Sequence, residues 1–242
     1  MRTLIGIGVG PGDPELLTVK AARLLREANA VFAPSTALDR ESRAEQIVLA
    51  ATGLRARRLV FALEDQGGVT PERTAAWDAA AREVLAAFEA GAETVAFVTL
   101  GDPNVYSTFG YLAQTVAGLD QSVRVETVPG ITAMQDLAAR ADVRLAEGRE
   151  PLTLVPATAG LDEVRAALAG AGTVVVYKGG RHAEDLAAAV EASGRAELAV
   201  LGTDLGLATE RIGALRDREP GRAPYFTTLI APPVRRARGG AL

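Results

Sequence analysis

The chain has 242 residues, 48% of them hydrophobic, with 25 Gly, 12 Pro, one His and no Cys. Without a thiol there is no disulfide framework, zinc knuckle, iron–sulfur cluster or cysteine nucleophile, and one His cannot supply the paired imidazoles of most catalytic zinc sites, so any metal would need an all-oxygen site, and no metal ligand is assigned. Lys and Arg total 26 against 30 Asp and Glu, a net charge of −4, which argues against nucleic acid as the main partner.

The length is awkward, long for one minimal domain and short for two full ones at roughly 100–200 residues each. Met1 is followed by one Arg and a strand-like run, without the apolar core of a signal peptide. No apolar stretch approaches the ~20 residues of a membrane helix, so a soluble, cytoplasmic protein is expected.

TLIGIGVG (3–10) is rich in Ile and Val and closed by Gly and Pro, as a buried parallel strand would be. In PELLTVKAARLLREAN, Leu16, Val19, Leu24 and Leu25 predict an amphipathic helix with Pro14 in its first turn. AVFAP (30–34) reads as a strand, RAEQIVLAA (43–51) as a helix and RRLVFAL (57–63) as a strand. Trp77, Ala81, Val84 and Phe88 recur three or four residues apart, which predicts a helix with Trp77 in the core. TVAFVTL (94–100) is then a strand, Val105 to Val116 a helix, VRVETV (123–128) a strand, and Thr132 to Ala141 a helix. Five strands alternating with helices predict a parallel sheet.

The pattern restarts with strands at PLTLVPAT (151–158) and TVVVYKG (173–179), a helix over 183–192, and a strand at ELAVLGT (197–203). ATERIGAL (208–215) and YFTTLIAPP (225–233) are strands joined by a loop carrying Pro220, Gly221 and Pro224, too short for a crossover helix, so a mixed sheet is expected. The polar segment RLAEGRE marks a boundary near 143–150. The predicted division is an N-terminal α/β domain over 1–145, a C-terminal α/β domain with a mixed sheet over 146–234, and a disordered tail over 235–242.

The opening glycines, Gly6, Gly8, Gly10 and Gly12, do not fit the dinucleotide fingerprint G-x-G-x-x-G, because Pro11 and Asp13 occupy positions it needs. A Walker loop is also absent. Three strand-end turns remain: GPGDP (10–14), GDPNVYST (101–108) and PGIT (129–132). Ligands of open parallel sheets bind outside the carboxyl ends of the strands, so these turns are expected to converge on one crevice. Each taken alone is also ordinary turn punctuation.

IGIGVGPGDPELLTVKAARLLREANAVF, TLGDPNVYSTFGYL and VPGITAM, in this order, resemble the tetrapyrrole methylases over nearly the whole chain. APSTALDRESRAEQIV (33–48), the GDPNVYSTFGYL form of the second motif, VVVYKGGRH (174–182) and PYFTTLIAP (224–232) are similar to the branch that methylates carbon 20 of precorrin-2 in cobalamin biosynthesis. The resemblance implies two α/β domains with the cofactor in a cleft between them, a homodimer, S-adenosyl-L-methionine as methyl donor with S-adenosyl-L-homocysteine as product, and a tetrapyrrole as acceptor. It implies cofactor contacts at Pro11, at Gly101, Asp102, Pro103, Val105 and Tyr106, and at Thr132 and Ala133. Further contacts carried over are Tyr177 and Lys178 with Thr227, Thr228 and Leu229; many relatives have Met where this chain has Lys178.

A tetrapyrrole of this kind carries many carboxylates, and an acidic protein needs a local basic rim to bind it. Arg40, Arg43, Arg181 and His182, with Lys178, are the candidates, against the plain alternative of solvated surface charge. Asp102 either orients the cofactor or a loop amide or caps the helix expected after Pro103. Tyr106 either covers the cofactor or packs on the sheet. No catalytic side chain is assigned, because transfer from a sulfonium to an electron-rich carbon needs positioning more than an enzyme nucleophile. The open alternatives are cobalt-loaded precorrin-2, uroporphyrinogen III, a later precorrin, a diphthamide precursor on a protein, and a non-catalytic cofactor-binding regulator.

Overall fold

The computed structural model describes residues 1–62, 68–221, 223–235, 237 and 239. The chain divides into two compact units, Met1–Thr132 and Ala133–Leu242. In the first, the order is β1 (Thr3–Gly8), α1 (Val19–Glu27), β2 (Ala30–Ser35), α2 (Arg43–Thr52), β3 (Arg57–Val60), α3 (Pro71–Glu89), β4 (Thr94–Thr99), α4 (Phe109–Leu119) and β5 (Arg124–Val128). The five strands form one sheet in the order β3-β2-β4-β1-β5, with every pair parallel. Helices cover both faces, which is why the strands read as unbroken apolar runs. Leu4, Phe32, Phe97, Phe109 and Leu112 fill one side with α3 and α4. Ile5, Ile7, Leu25, Ile47 and Val98 fill the other with α1 and α2.

Local signals explain the helix starts. Thr18, Ser42 and Thr70 each accept a hydrogen bond from a first-turn amide of α1, α2 and α3. The first helix begins later than expected. Pro14–Leu16 is a separate 3-10 turn capped by Asp13, so α1 starts after Thr18 and its buried residues are Ala21 and Leu25, leaving Val19 89% exposed. Trp77 is only partly buried, stacked on Tyr111 at 4.6 Å, while Ala80, Ala81, Val84 and Phe88 form the buried face of α3. The helix expected from Val105 begins at Phe109, because residues 101–108 are spent in turns. Leu63, the last residue of the strand expected over 57–63, lies outside the described residues.

The second unit contains α5 (Ala133–Arg140), β6 (Leu152–Pro156), α6 (Leu161–Leu168), β7 (Thr173–Tyr177), α7 (Ala183–Ala192), β8 (Val200–Thr203), β9 (Arg211–Ala214) and β10 (Thr227–Ala231). Its sheet is mixed, in the order β6-β7-β10-β8-β9. The β6–β7 pair is parallel, and β10 runs antiparallel to both β7 and β8. Helix α6 was not read from the sequence; its marks are Gly160 ahead of it and Asp162 and Glu163 in its first turn.

The division falls before α5 rather than in RLAEGRE, because Leu137 and Ala138 pack with Val175, Leu205 and Ile230. Buried Arg195 donates to the carbonyls of Gly172 and Ala231 at 2.6 and 3.3 Å and to that of Gly170 at 2.5 Å, holding strand ends together. Arg235, first residue of the tail expected to be disordered, pairs with Glu150 at 2.6 Å. Residues 236, 238 and 240–242 of that tail lie outside the described residues. Among the described residues no helix is long and apolar enough to cross a membrane.

Candidate active site

In a parallel sheet every strand delivers its carboxyl end to the same edge, so the turns after β1, β4 and β5 become neighbours. Glycine makes their approach closer than side chains allow. A Cβ on Gly8 would lie 2.5 Å from the Gly101 carbonyl oxygen, and one on Gly130 only 2.1 Å from that same atom. Gly10 and Gly101, both at positive φ, bridge the first two turns; the Gly101 amide donates to the Gly10 carbonyl at 2.7 Å, with a longer return bond of 3.4 Å. A Cβ on Gly101 would meet only Thr132, at 3.9 Å, so this glycine leaves open space beside Thr132.

Asp102 locks the second turn to the third. One carboxylate oxygen accepts from the Asn104 amide at 2.8 Å and the other from the Gly130 amide at 3.0 Å. The helix-cap reading of Asp102 fails, because α4 begins at Phe109 and Asp102 orients a loop amide instead. The Thr99 and Ser107 hydroxyls lie 2.9 Å apart, and Ser107 accepts from the Phe109 amide, closing the loop. Between these anchors Tyr106 adopts φ 50 with 45% of its surface exposed, so it is not a core packing residue. Desolvation raises its phenol pKa above the ordinary tyrosine value. Left-handed backbone in a bulky residue is strained, and such strain gathers at ligand sites.

The first unit therefore collects Pro11, Gly101, Asp102, Pro103, Val105, Tyr106 and Thr132 at one edge; Pro11, Pro103 and Thr132 are buried. The β2–α2 connection leaves from that edge too. There the Ser35 hydroxyl lies 2.8 and 2.6 Å from the carbonyl oxygens of Ala37 and Arg40, shaping the segment that carries exposed Arg40 and half-buried Arg43.

The second unit gathers the remaining candidates. Tyr177 ends β7, and its hydroxyl accepts from the Met134 amide at 3.1 Å, beside Ala133 at the head of α5. Lys178 follows at φ 60. Gly179 donates to the Thr227 carbonyl at 3.3 Å, and Thr227, Thr228 and Leu229 are buried in β10. Arg181 and His182 sit in the 3-10 turn Gly180–His182, just before α7. The sequence reading missed Asp204. It is 8% exposed at φ 50, its amide donates to the Phe226 carbonyl at 3.1 Å, and its carboxylate accepts from Thr209 at 3.0 Å. An acidic residue directly after strand ELAVLGT and before Gly206 was the available signal.

These edges offer backbone amides and carbonyls, hydroxyls and few titratable groups, a set suited to holding a polar ligand in place. Two α/β units, one parallel and one mixed, with glycine turns at the sheet edge, form an α/β architecture suited to binding a ligand. The chain matches the family described as Tetrapyrrole (Corrin/Porphyrin) Methylases over residues 3–217 and belongs to it; it is a methyltransferase.

It is 33% identical over 236 residues to a precorrin-2 C(20)-methyltransferase of Sinorhizobium sp, covering 95% of this chain and 94% of that one. It is 32% identical over 234 residues to a cobalt-precorrin-2 C(20)-methyltransferase of Salmonella typhimurium, covering 94% of each. A solved cobalt precorrin-4 methyltransferase shares the fold, with a TM-score of 0.70 at 22% identity, covering 95% of this chain and 94% of that one.

Proposed function

We propose that the protein transfers a methyl group from S-adenosyl-L-methionine to carbon 20 of precorrin-2, giving precorrin-3A in cobalamin biosynthesis. The observation that carries this reading is the end-to-end similarity to enzymes named for that carbon. It is supported by the interlocked turns of the first unit, where Gly101 leaves space beside Thr132 that a side chain would fill.

The sulfonium donor supplies an electrophilic methyl group when bound. This chain's residues would hold it: the backbone around Pro11, Gly101 and Pro103, the loop side chains of Val105 and Tyr106, and Thr132, with Ala133, Tyr177, Lys178, Thr227, Thr228 and Leu229 from the second unit. Asp102 keeps the second and third turns in register through the Gly130 amide. Fixing donor and acceptor in line supplies ~7–11 kcal/mol of barrier lowering, so no nucleophile is needed from a chain without Cys. Arg40, Arg43, Arg181 and His182 would pair with acceptor carboxylates. The protein would work as a homodimer in the cytoplasm, and light scattering checks the first of these.

The decisive experiment incubates the protein and cofactor with metal-free and cobalt-loaded precorrin-2 in parallel, followed by mass spectrometry and NMR. A new methyl on carbon 20 is expected, and a methyl on any other carbon refutes the assignment. The metal-free substrate is the first choice, and both are run because relatives of both kinds match at nearly equal identity.

A further inference from the structure

Two adjacent aromatic residues at the edge of the second sheet have no part in the cofactor assignment. Tyr225 and Phe226 are 48% and 43% exposed in a chain with only 5% aromatic residues. Their rings meet edge to face, with centroids 5.2 Å apart. Exposed rings of this kind suit a ligand with apolar faces.

The backbone holds them at a defined place. The Thr227 amide donates to the Tyr225 carbonyl at 2.9 Å, and the Asp204 amide to the Phe226 carbonyl at 3.1 Å. The pair thus stands immediately before Thr227 and Thr228, next to strained Asp204. On the other side Ala223 donates to the Gly180 carbonyl at 2.9 Å, and a Cβ on Gly180 would lie 1.9 Å from the Pro224 carbonyl oxygen. That contact fastens the turn bearing Arg181 and His182 onto the segment leading into the two rings. Apolar rings are therefore carried beside cationic or protonatable side chains in one local structure.

From this juxtaposition we infer that Tyr225 and Phe226 form a stacking platform for the macrocycle of the acceptor, with Arg181 and His182 placed for its peripheral carboxylates. A carboxylated tetrapyrrole presents conjugated pyrrole rings with acids around the rim, the complement of this arrangement. The inference rests on the methyl-transfer reading above and adds the residues that recognise the acceptor. It assigns Tyr225 and Phe226 to acceptor affinity and not to cofactor affinity.

The test is fluorescence titration of uroporphyrin, a stable carboxylated tetrapyrrole, into the full chain, its Tyr225→Ala/Phe226→Ala variant and its Tyr225→Phe variant. Calorimetry with S-adenosyl-L-methionine and size-exclusion chromatography are run on each. Loss of two stacking rings is expected to weaken porphyrin binding about tenfold or more, with cofactor affinity and oligomeric state unchanged. Tyr225→Phe keeps wild-type affinity, since it keeps the ring. In turnover with precorrin-2 the double variant raises KM by a similar factor, with a smaller effect on kcat.

Equal porphyrin affinity and KM in the double variant and wild type overturn the platform while leaving methyl transfer intact. A double variant that changes oligomeric state at unchanged porphyrin affinity overturns it in favour of a subunit interface. A wild-type protein that neither binds porphyrin nor methylates precorrin-2 removes the functional reading and the platform together.

Discussion

Asp102 shows how one side chain can tie two loops together. Its two carboxylate oxygens take amides from its own turn and from the turn after β5, while Gly8, Gly101 and Gly130 let those backbones meet. Asp102→Ala leaves both amides without that acceptor, at a cost of about 1–3 kcal/mol. Cofactor affinity measured by calorimetry is expected to fall about tenfold, with a smaller effect for Asp102→Asn, which keeps an oxygen acceptor. Gly130→Ala is the harsher change, because its methyl would sit 2.1 Å from a carbonyl oxygen that cannot swing away. A loss of about 2–4 kcal/mol in urea unfolding is expected for it.

The turn motifs were legible residue by residue because glycine and proline announce them. Asp102's second bond was not, since its partner lies twenty-eight residues away. Asp204 was passed over for a related reason: its burial depends on β10 pairing beside β8, which no local pattern reveals.

Among elements, the strands were read best, because both faces of the first sheet are covered and its apolar runs stand out. Helix starts were read less well. Val19 fits an apolar stripe drawn from Pro14, but the Thr18 cap resets the helix and turns Val19 outward. Helix α5 joins the second unit through Leu137, which packs with Val175 and Ile230. Leu137→Ala is expected to cost about 2–5 kcal/mol in urea unfolding. Arg195 is a comparable staple made of polar bonds. Arg195→Ala strands the carbonyls of Gly170, Gly172 and Ala231, and a loss of about 2–4 kcal/mol is expected by the same measurement. Burial lowers the Arg195 pKa from its ordinary value, though the group stays charged.

For the whole molecule, acid sensitivity follows from carboxylates held by arginines. Arg235 lowers the pKa of Glu150, Arg218 that of Glu184 and Arg140 that of Glu210, in each case chiefly by hydrogen bonding. The unfolded chain therefore takes up protons first as pH falls through the ordinary glutamate value of 4.5. The stabilisation is complete above that value and is lost below it, toward the lower folded-state pKa values. Melting temperature is expected to be flat near neutrality and to fall below about pH 4.5. Glu210→Gln should reduce the steepness of that fall, and a slope unchanged by it would assign acid sensitivity elsewhere.

The sequence by itself determined two α/β units, a parallel sheet in one and a mixed sheet in the other, and the three turns that mark a tetrapyrrole methylase. Those features are written in short-range periodicity and in glycine and proline, whose backbone preferences act locally. Only the tertiary structure decided that Asp102 ties turns and caps no helix, that α5 belongs with the second sheet, and that Tyr225 and Phe226 stand exposed beside Asp204. Each of those depends on which strands become neighbours, and strand pairing is settled by long-range packing of faces that no window of sequence contains.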